Sequence, residues 1–232
     1  MKQVSILVID DDKEIADLVE IHLVSEGYRV FKANSAVEGL LYLEKEDIKL
    51  VILDIMMPGM DGLTLCGKIR ETNTVPIIIL SARSTDLDKI IGLGTGADDY
   101  VTKPFSPLEL TARVKSQLRR YTKLNPNSQG EKKDTEIVLD HLIINKETHK
   151  VIAYGRDVKL TPIEFDILFL LASNVGRVFS TDEIFERVWN EKMFDANNTV
   201  MVHIRRIREK IEMDSRNAKI IKTVWGVGYK IE

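Results

Sequence analysis

The sequence is short of several things, and each shortage excludes something. A single cysteine, Cys66, in 232 residues rules out an intrachain disulfide framework and fits a reducing compartment. No apolar stretch approaches the length of a membrane span. The first apolar run, Ile6 to Ile9, is too short for a signal-peptide core and leads straight into three aspartates. Charge of one sign is missing too, since 33 Lys+Arg against 36 Asp+Glu leave a net −3. Binding to nucleic acid by bulk charge alone is therefore excluded, while a small basic surface inside a near-neutral total is not. There is no internal repeat and no low-complexity tract. The expectation is a cytoplasmic protein with no membrane partner.

What is present is a pattern that changes once. The hydrophobic share of 44% and the charged share of 30% suit a soluble chain with real cores. At about 150 residues per domain, the length is that of roughly one and a half domains. Through the first 120 residues, apolar runs (Val4–Ile9, Arg29–Ala33, Leu50–Leu53, Ile77–Leu80, Asp99–Val101) alternate with five helical patterns. That alternation predicts a doubly wound α/β domain of five parallel strands with helices on both faces. Continuous rather than alternating apolar runs suit strands covered on both sides. Residues 121–135 are polar, carry turn formers and predict a flexible linker. Residues 136–232 then show short strand-like pieces, three helical patterns and a final Gly-rich strand pair, an α+β arrangement. Charge divides with them: residues 1–120 carry 15 basic and 19 acidic side chains, whereas residues 197–232 carry 8 and 4.

The acidic residues of the first half fall at strand ends. Asp10, Asp11 and Asp12 follow the first strand, and Asp54 follows the third. In a parallel sheet those ends share one edge, where ligands bind. Converging carboxylates repel one another, and a hard divalent cation relieves the repulsion; Mg²⁺ is the usual choice beside phosphate. Ser81 ends the fourth strand and Lys103 follows the fifth, so a hydroxyl and an ammonium join the same edge. Carboxylates, hydroxyl and ammonium together suit phosphoryl transfer to a carboxylate, with Asp54 as nucleophile. Ordinary helix-capping aspartates are the competing reading, and for Asp12, ahead of Lys13-Glu14-Ile15, capping is the better one.

Three stretches resemble the OmpR/PhoB family of two-component response regulators: Ile6-Leu7-Val8-Ile9-Asp10-Asp11-Asp12, Leu53-Asp54-Ile55-Met56-Met57-Pro58-Gly59-Met60-Asp61-Gly62, and Gly96-Ala97-Asp98-Asp99-Tyr100-Val101-Thr102-Lys103-Pro104-Phe105. Within the family the likeness is to the vancomycin-resistance type, through Glu14 to Glu20 and Lys222 to Ile231. The resemblance implies a flavodoxin-like receiver domain over 1–120 and a winged helix-turn-helix effector over 136–232. It implies that Asp54 is the phosphoacceptor, served by a sensor histidine kinase. It implies that Asp10, Asp11, Asp54 and the Met56 backbone carbonyl hold Mg²⁺, that Lys103 binds the phosphoryl group, and that Ser81 and Tyr100 form the switch pair. Thr102-Lys103-Pro104 suggests a cis Lys–Pro bond. A homodimer formed on phosphorylation is implied, with Lys89–Glu109, Asp99–Arg113 and Asp98–Arg120 pairing between subunits. Such a chain is a phosphoacceptor that assists its own phosphorylation and dephosphorylation, not an enzyme in the ordinary sense. A Mg²⁺-dependent phosphohydrolase is the rival from the enzyme class, but Met56 stands where a second carboxylate would be needed. A regulator indifferent to phosphorylation is the other rival.

The second half reads as a module for double-stranded promoter DNA. Thr161, Pro162 and Glu164 form a helix start with a capping box, and Ser180-Thr181 begin a second helix. On a third helix, Val200, Ile204, Ile207 and Ile211 make the buried stripe, leaving Asn198, Val202, Arg205, Arg206 and Glu209 outward with His203 and Arg208 flanking. Arginine reads guanine, asparagine adenine and valine a thymine methyl in the major groove. The hairpin Lys219–Ile231, with Lys222 and Thr223, supplies a wing. Trp225 stands at the wing tip where the family commonly has arginine, and an indole cannot mimic a minor-groove arginine. Tandem half-sites read by two copies are expected.

Overall fold

The apolar runs of the first half become strands because β-branched residues suit a sheet packed on both faces. The structure is a computed structural model, and the residues it describes are 3–82, 92–123, 136–189 and 197–232. The chain separates into two compact units, residues 1–121 and 122–232. In the first, β1 (Ser5–Ile9), α1 (Lys13–Ser25), β2 (Arg29–Ala33), α2 (Ala36–Lys45), β3 (Ile48–Asp54), α3 (Gly62–Thr72), β4 (Ile77–Ser81), β5 (Asp99–Thr102) and α4 (Pro107–Lys123) follow in order. Residues 92–95, the described end of the fourth helical pattern, are helical.

The strands pair in parallel in the order β2-β1-β3-β4-β5. Ile6, Val8, Leu50, Ile52, Ile78 and Leu80 pack on one face with Val19 and Leu23 of α1 and Val114 and Leu118 of α4. The alternate residues Leu7, Ile9, Val51, Leu53 and Ile79 are fully buried as well, so both faces are covered. Each such side chain contributes about 1.5–3 kcal/mol of burial. The central order β1-β3-β4 brings the ends of β1, β3 and β4 side by side, the topology that positions the acidic site.

Arg70, in the last turn of α3, is bonded in several directions. Its guanidinium donates to the carbonyls of Gly96 (2.8 Å), Val75 (2.7 Å) and Asn73 (3.2 Å), and to Asp98 Oδ2 at 2.8 Å. The same carboxylate oxygen accepts the Ile77 amide at 2.9 Å. One buried ion pair thus fastens α3, the entry to β4 and the entry to β5.

The second unit begins with an antiparallel sheet, β6 (Glu136–Leu139), β7 (Leu142–Asn145), β8 (Lys150–Ala153) and β9 (Arg156–Val158). The sequence places the last of these two residues later, at Val158–Leu160. The register is set instead by the two-residue turn Tyr154-Gly155, with φ of 49° and 74°, which opposes Ala153 to Arg156. Then come α5 (Pro162–Ala172), α6 (Thr181–Trp189), α7 (Asn197–Ile211) and the hairpin β10 (Ile221–Val224) and β11 (Gly228–Ile231). The capping box at Thr161 and Glu164 forms as the sequence suggests. The three helices pack around Ile163, Ile167, Leu171, Ile184, Val200, Ile204 and Ile207. Of the stretch read as linker, 121–123 continue α4 and 124–135 lie outside the described residues.

Arg70→Ala is expected to lower the stability of the first unit by about 3–5 kcal/mol, because it leaves the Asp98 carboxylate buried without its cation. Calorimetry of the full chain would show that transition displaced, while the second unit, which holds both tryptophans, keeps its fluorescence transition. An undisplaced first transition contradicts the fastening role.

Candidate functional site

Asp10 follows β1, Asp54 ends β3, Ser81 ends β4 and Lys103 follows β5, so four strand ends each place one polar side chain on a single edge. Lys103 Nζ lies 2.8 Å from Asp10 Oδ2 and 2.9 Å from Asp54 Oδ1. Asp10 and Asp54 are buried, at 2% and 3% exposure, whereas Asp11 is open to solvent. The second oxygens are held by the backbone: Asp10 Oδ1 accepts the Asp12 amide at 3.0 Å, and Asp54 Oδ2 accepts the Met56 amide at 2.9 Å. Asp12 itself caps α1, accepting from Glu14 and Ile15. Burial pushes the Asp10 carboxyl above the usual carboxylate range, with the Lys103 bond opposing that rise. Burial also works against the Lys103 ammonium, but its bonds to Asp10 and Asp54 more than offset it and raise its pKa.

The loop after β3 returns closely against the strand end. Gly62 starts α3 against the strand end, where a Cβ would stand 2.0 Å from the Asp54 carbonyl oxygen, so only glycine fits. Asp61 caps α3 through the Thr64 amide at 2.7 Å. The Lys103–Pro104 bond is cis, as the Thr-Lys-Pro run suggests. Ser81 is fully buried, and its carbonyl accepts the Lys103 amide at 2.7 Å. Tyr100 is half-buried, and its ring lies against Gly92, where a Cβ would come within 3.0 Å of Cδ2 and Cε2.

The acidic group fits a divalent cation. Asp10, Asp11 and Asp54 each offer a carboxylate oxygen, and the three oxygens lie within 4.8 Å of one another. Three carboxylates beside one ammonium carry excess negative charge, and all the donors are oxygens, the set that Mg²⁺ takes.

Around β5 the expected dimer residues are not all alike. Arg113 Nη1 lies 3.1 Å from Asp99 Oδ1, and Arg113 also pairs with Glu109 at 3.0 Å, all within one chain. Asp98 is fully buried against Arg70, not on the surface where a pair with Arg120 would need it, because its carboxylate serves the Ile77 amide. Arg120 is half-buried, and Lys89 lies outside the described residues.

On α7 the outward residues include Arg205 and Met201, with Val202 and Arg206 half-buried beside them. Arg205 Nε donates to Glu209 at 2.9 Å. Asn198 is in the first turn, its side chain outside the described residues. His203 faces inward at 1% exposure, its ring 5.5 Å from that of Trp189, so the expected flanking position does not hold. Arg208 is turned to the wing: it donates to the Ile221 carbonyl at 2.7 Å and to Thr223 Oγ1 at 2.9 Å. Thr223 is thereby engaged, while Lys222 is half-buried on the opposite face of its strand. The sequence reading missed Arg70, Met201 and Glu212. Met201 stands four residues before Arg205, a spacing that could have revealed it. Glu212 accepts the amides of Lys219, Ile220 and Ile221 and so fixes the entry to the wing, a tertiary contact with no sequence signal.

Comparison with known proteins agrees with this division. Residues 6–115 match the response regulator receiver domain, and residues 155–231 match the family described as transcriptional regulatory protein, C terminal. The chain is 52% identical over 230 residues to the regulatory protein VanR of Enterococcus faecium, covering 98% of each. It is likewise 52% identical over 227 residues to VanRc of Enterococcus gallinarum, again covering 98% of each. Among solved structures it is similar to DrrB, a Thermotoga maritima OmpR/PhoB homologue, at 34% identity, a TM-score of 0.50 and 99% coverage of both chains. A RitR mutant aligns with a TM-score of 0.74 at 27% identity, also over 99% of both chains. Receiver at one end and DNA-binding module at the other, the chain belongs to the OmpR/PhoB family of response regulators.

Proposed function

We propose that this regulator is switched by phosphorylation of Asp54 from a sensor histidine kinase and then binds promoter DNA as a homodimer. The observation that carries the reading is Lys103 Nζ held between Asp10 and Asp54, with Asp11 completing the acidic group. Asp10, Asp11, Asp54 and the Met56 carbonyl would hold Mg²⁺. When bound, that ion neutralises charge on the transferring phosphoryl group and brings it in line. An Asp54 oxygen attacks phosphorus, and its P–O bond forms as the donor's P–N bond breaks. Lys103, already beside the nucleophile, then bonds a phosphoryl oxygen, and the Ser81 hydroxyl donates to another. The same residues assist hydrolysis of the aspartyl phosphate.

Withdrawal of Ser81 toward the phosphoryl group makes room for the Tyr100 ring to turn inward. That change reaches Asp99, Glu109, Arg113 and Arg120 around β5 and α4, the proposed dimer face with Lys89. Phosphorylation thus shifts an existing equilibrium instead of building a new surface. Exposed ion pairs contribute only about 0–1 kcal/mol each, so these charges set register more than affinity. Paired effectors read tandem half-sites, with Arg205, Arg206, Asn198 and Val202 in the major groove and Lys222 on the backbone. The likeness to VanR supports target genes of the vancomycin-resistance or cell-wall type.

Incubated with a small-molecule phosphodonor and Mg²⁺, the wild-type chain is expected to gain one phosphoryl group by intact mass and to dimerise in sedimentation. Asp54→Asn should do neither, and a chelator should abolish both in the wild type. A mutant that still forms donor-dependent dimers would sink the assignment of Asp54.

For the effector, Arg205→Ala and Arg206→Ala are each expected to cost about 1–3 kcal/mol in binding and to relax sequence preference. Arg208→Ala should lower the thermal stability of the second unit but leave the preference unchanged, since this side chain holds the wing. Selection from random duplex DNA separates the two effects. Unchanged preference in both of the first two variants would refute the reading of α7.

A further inference from the structure

The loop after β3 gathers methionine. Of the seven methionines in the chain, three fall within five residues there, Met56, Met57 and Met60. The fold treats them unequally: Met57 is buried, Met60 is half-buried, and Met56 is 55% exposed. Methionine is among the side chains most often fully buried, so an exposed one beside an acidic site calls for a reason. The backbone fixes where it stands. Met56 donates its amide to Asp54 Oδ2 at 2.9 Å. Met57 and Gly62 both donate to the Ile55 carbonyl, at 3.1 and 3.0 Å. The turn that carries Met56 is thus tied to the carboxylate it follows, and its exposed side chain stays at the rim of the site.

An exposed thioether reduces peroxides. A sulfur lone pair takes one oxygen of hydrogen peroxide, an S–O bond forms and the O–O bond breaks. The sulfur is oxidised to the sulfoxide, and the peroxide is reduced to one water that carries both its protons. Cys66, the other kind of sulfur present, is fully buried with its Sγ 3.7 Å from the Thr95 carbonyl oxygen, and is shielded from the same reagent. Oxidation changes what the rim offers to water. A thioether sulfur is a weak acceptor, whereas a sulfoxide is polar and its oxygen accepts readily. A water held by that oxygen stands beside a phosphoryl group on Asp54, already oriented for attack.

We propose that Met56 is a site of oxidation by peroxides, and that its sulfoxide hastens the loss of the phosphoryl group from Asp54. The inference rests on the phosphorylation reading above and adds a second, oxidative input to the same site. In the accelerated step the water oxygen bonds phosphorus as the bond from phosphorus to the Asp54 oxygen breaks. The carboxylate is regenerated, the proton leaves with inorganic phosphate, and the sulfoxide is not consumed. Methionine sulfoxide reductase with a thiol reductant restores the thioether and the original lifetime.

The test uses the full chain, treated or not with hydrogen peroxide, then phosphorylated with a small-molecule donor and Mg²⁺ and freed of donor. Peptide mass mapping is expected to find the sulfoxide at Met56 and not at Met57. Decay of the phosphoryl group, followed by intact mass, should be about fivefold faster after treatment, the contribution of one hydrogen bond. Reductase should reverse the change. Met56→Leu should decay at one rate with and without peroxide, and Met56→Gln, which carries an acceptor oxygen on a side chain of similar length, should decay faster with no peroxide at all. An unchanged or slower decay in protein whose Met56 is oxidised overturns the inference and leaves phosphorylation standing. So does oxidation at the exposed Met201 and Met213 that spares Met56, or a peroxide effect that persists in Met56→Leu. Untreated wild type that takes up no phosphoryl group overturns the Asp54 reading itself.

Discussion

The Lys103 ammonium sits between two buried carboxylates, and the acidic edge of the sheet is organised around it. Asp10 and Asp54 come from β1 and β3, which are neighbours; Lys103 follows β5, with β4 between it and Asp54. The long lysine stem spans that gap. Each partner alone would be costly, since a buried charge without a counter-charge is penalised by several kcal/mol. Together they leave excess negative charge beside the exposed Asp11 carboxylate. The arrangement is therefore satisfied enough to fold and leaves the uncompensated charge that the proposed cation and phosphoryl group would use.

The same strand that delivers Lys103 links this edge to the outer surface. β5 has four residues, and it is anchored at both ends: Asp98 just before it is gripped by Arg70, and Lys103 just after it by the carboxylates. Between the anchors, Asp99 meets Arg113 of α4 and the Tyr100 ring lies on Gly92. In the proposed switch, a change in the demands on Lys103 at one end is carried along a short strand whose other end is held by Arg70. Asp98 pays for this anchoring by being unavailable at the surface, so the proposed dimer face depends more heavily on Asp99, Glu109 and Arg113.

How far the sequence revealed all this depends on whether a signal was local. Strand ends were legible because apolar runs stop at Asp10, Asp54, Ser81 and Lys103, and a parallel sheet gathers such ends whatever else it does. The capping box at Thr161 and Glu164 was legible because both partners lie within four residues. The Val158 register was not, because it follows from two positive-φ residues at Tyr154 and Gly155, one of them not glycine. His203 was misplaced, and the wing bonds of Arg208 were not legible, for a related reason. A helical wheel separates buried from exposed faces, but the boundary residues between them are decided by what packs there, here Trp189 and the wing. Arg70 and Asp98, 28 residues apart, carry no pairing signal at all.

Those two findings bear on how the effector is proposed to meet DNA. With His203 inside and Arg208 bound to the wing, the cations facing outward on α7 reduce to Arg205 and Arg206, and Arg205 already shares its charge with Glu209. Few phosphate contacts mean little counterion release, and therefore modest affinity for one effector alone. Arg208 ties α7 to the hairpin that carries Lys222 and so holds the proposed recognition helix and the wing at a fixed distance. A reader built this way gains discrimination from fixed geometry, and the proposed joining of two copies through the receiver would supply the affinity it forgoes. On that reasoning, the proposed dependence on phosphorylation rests on the effector's own economy of charge as much as on the receiver's chemistry.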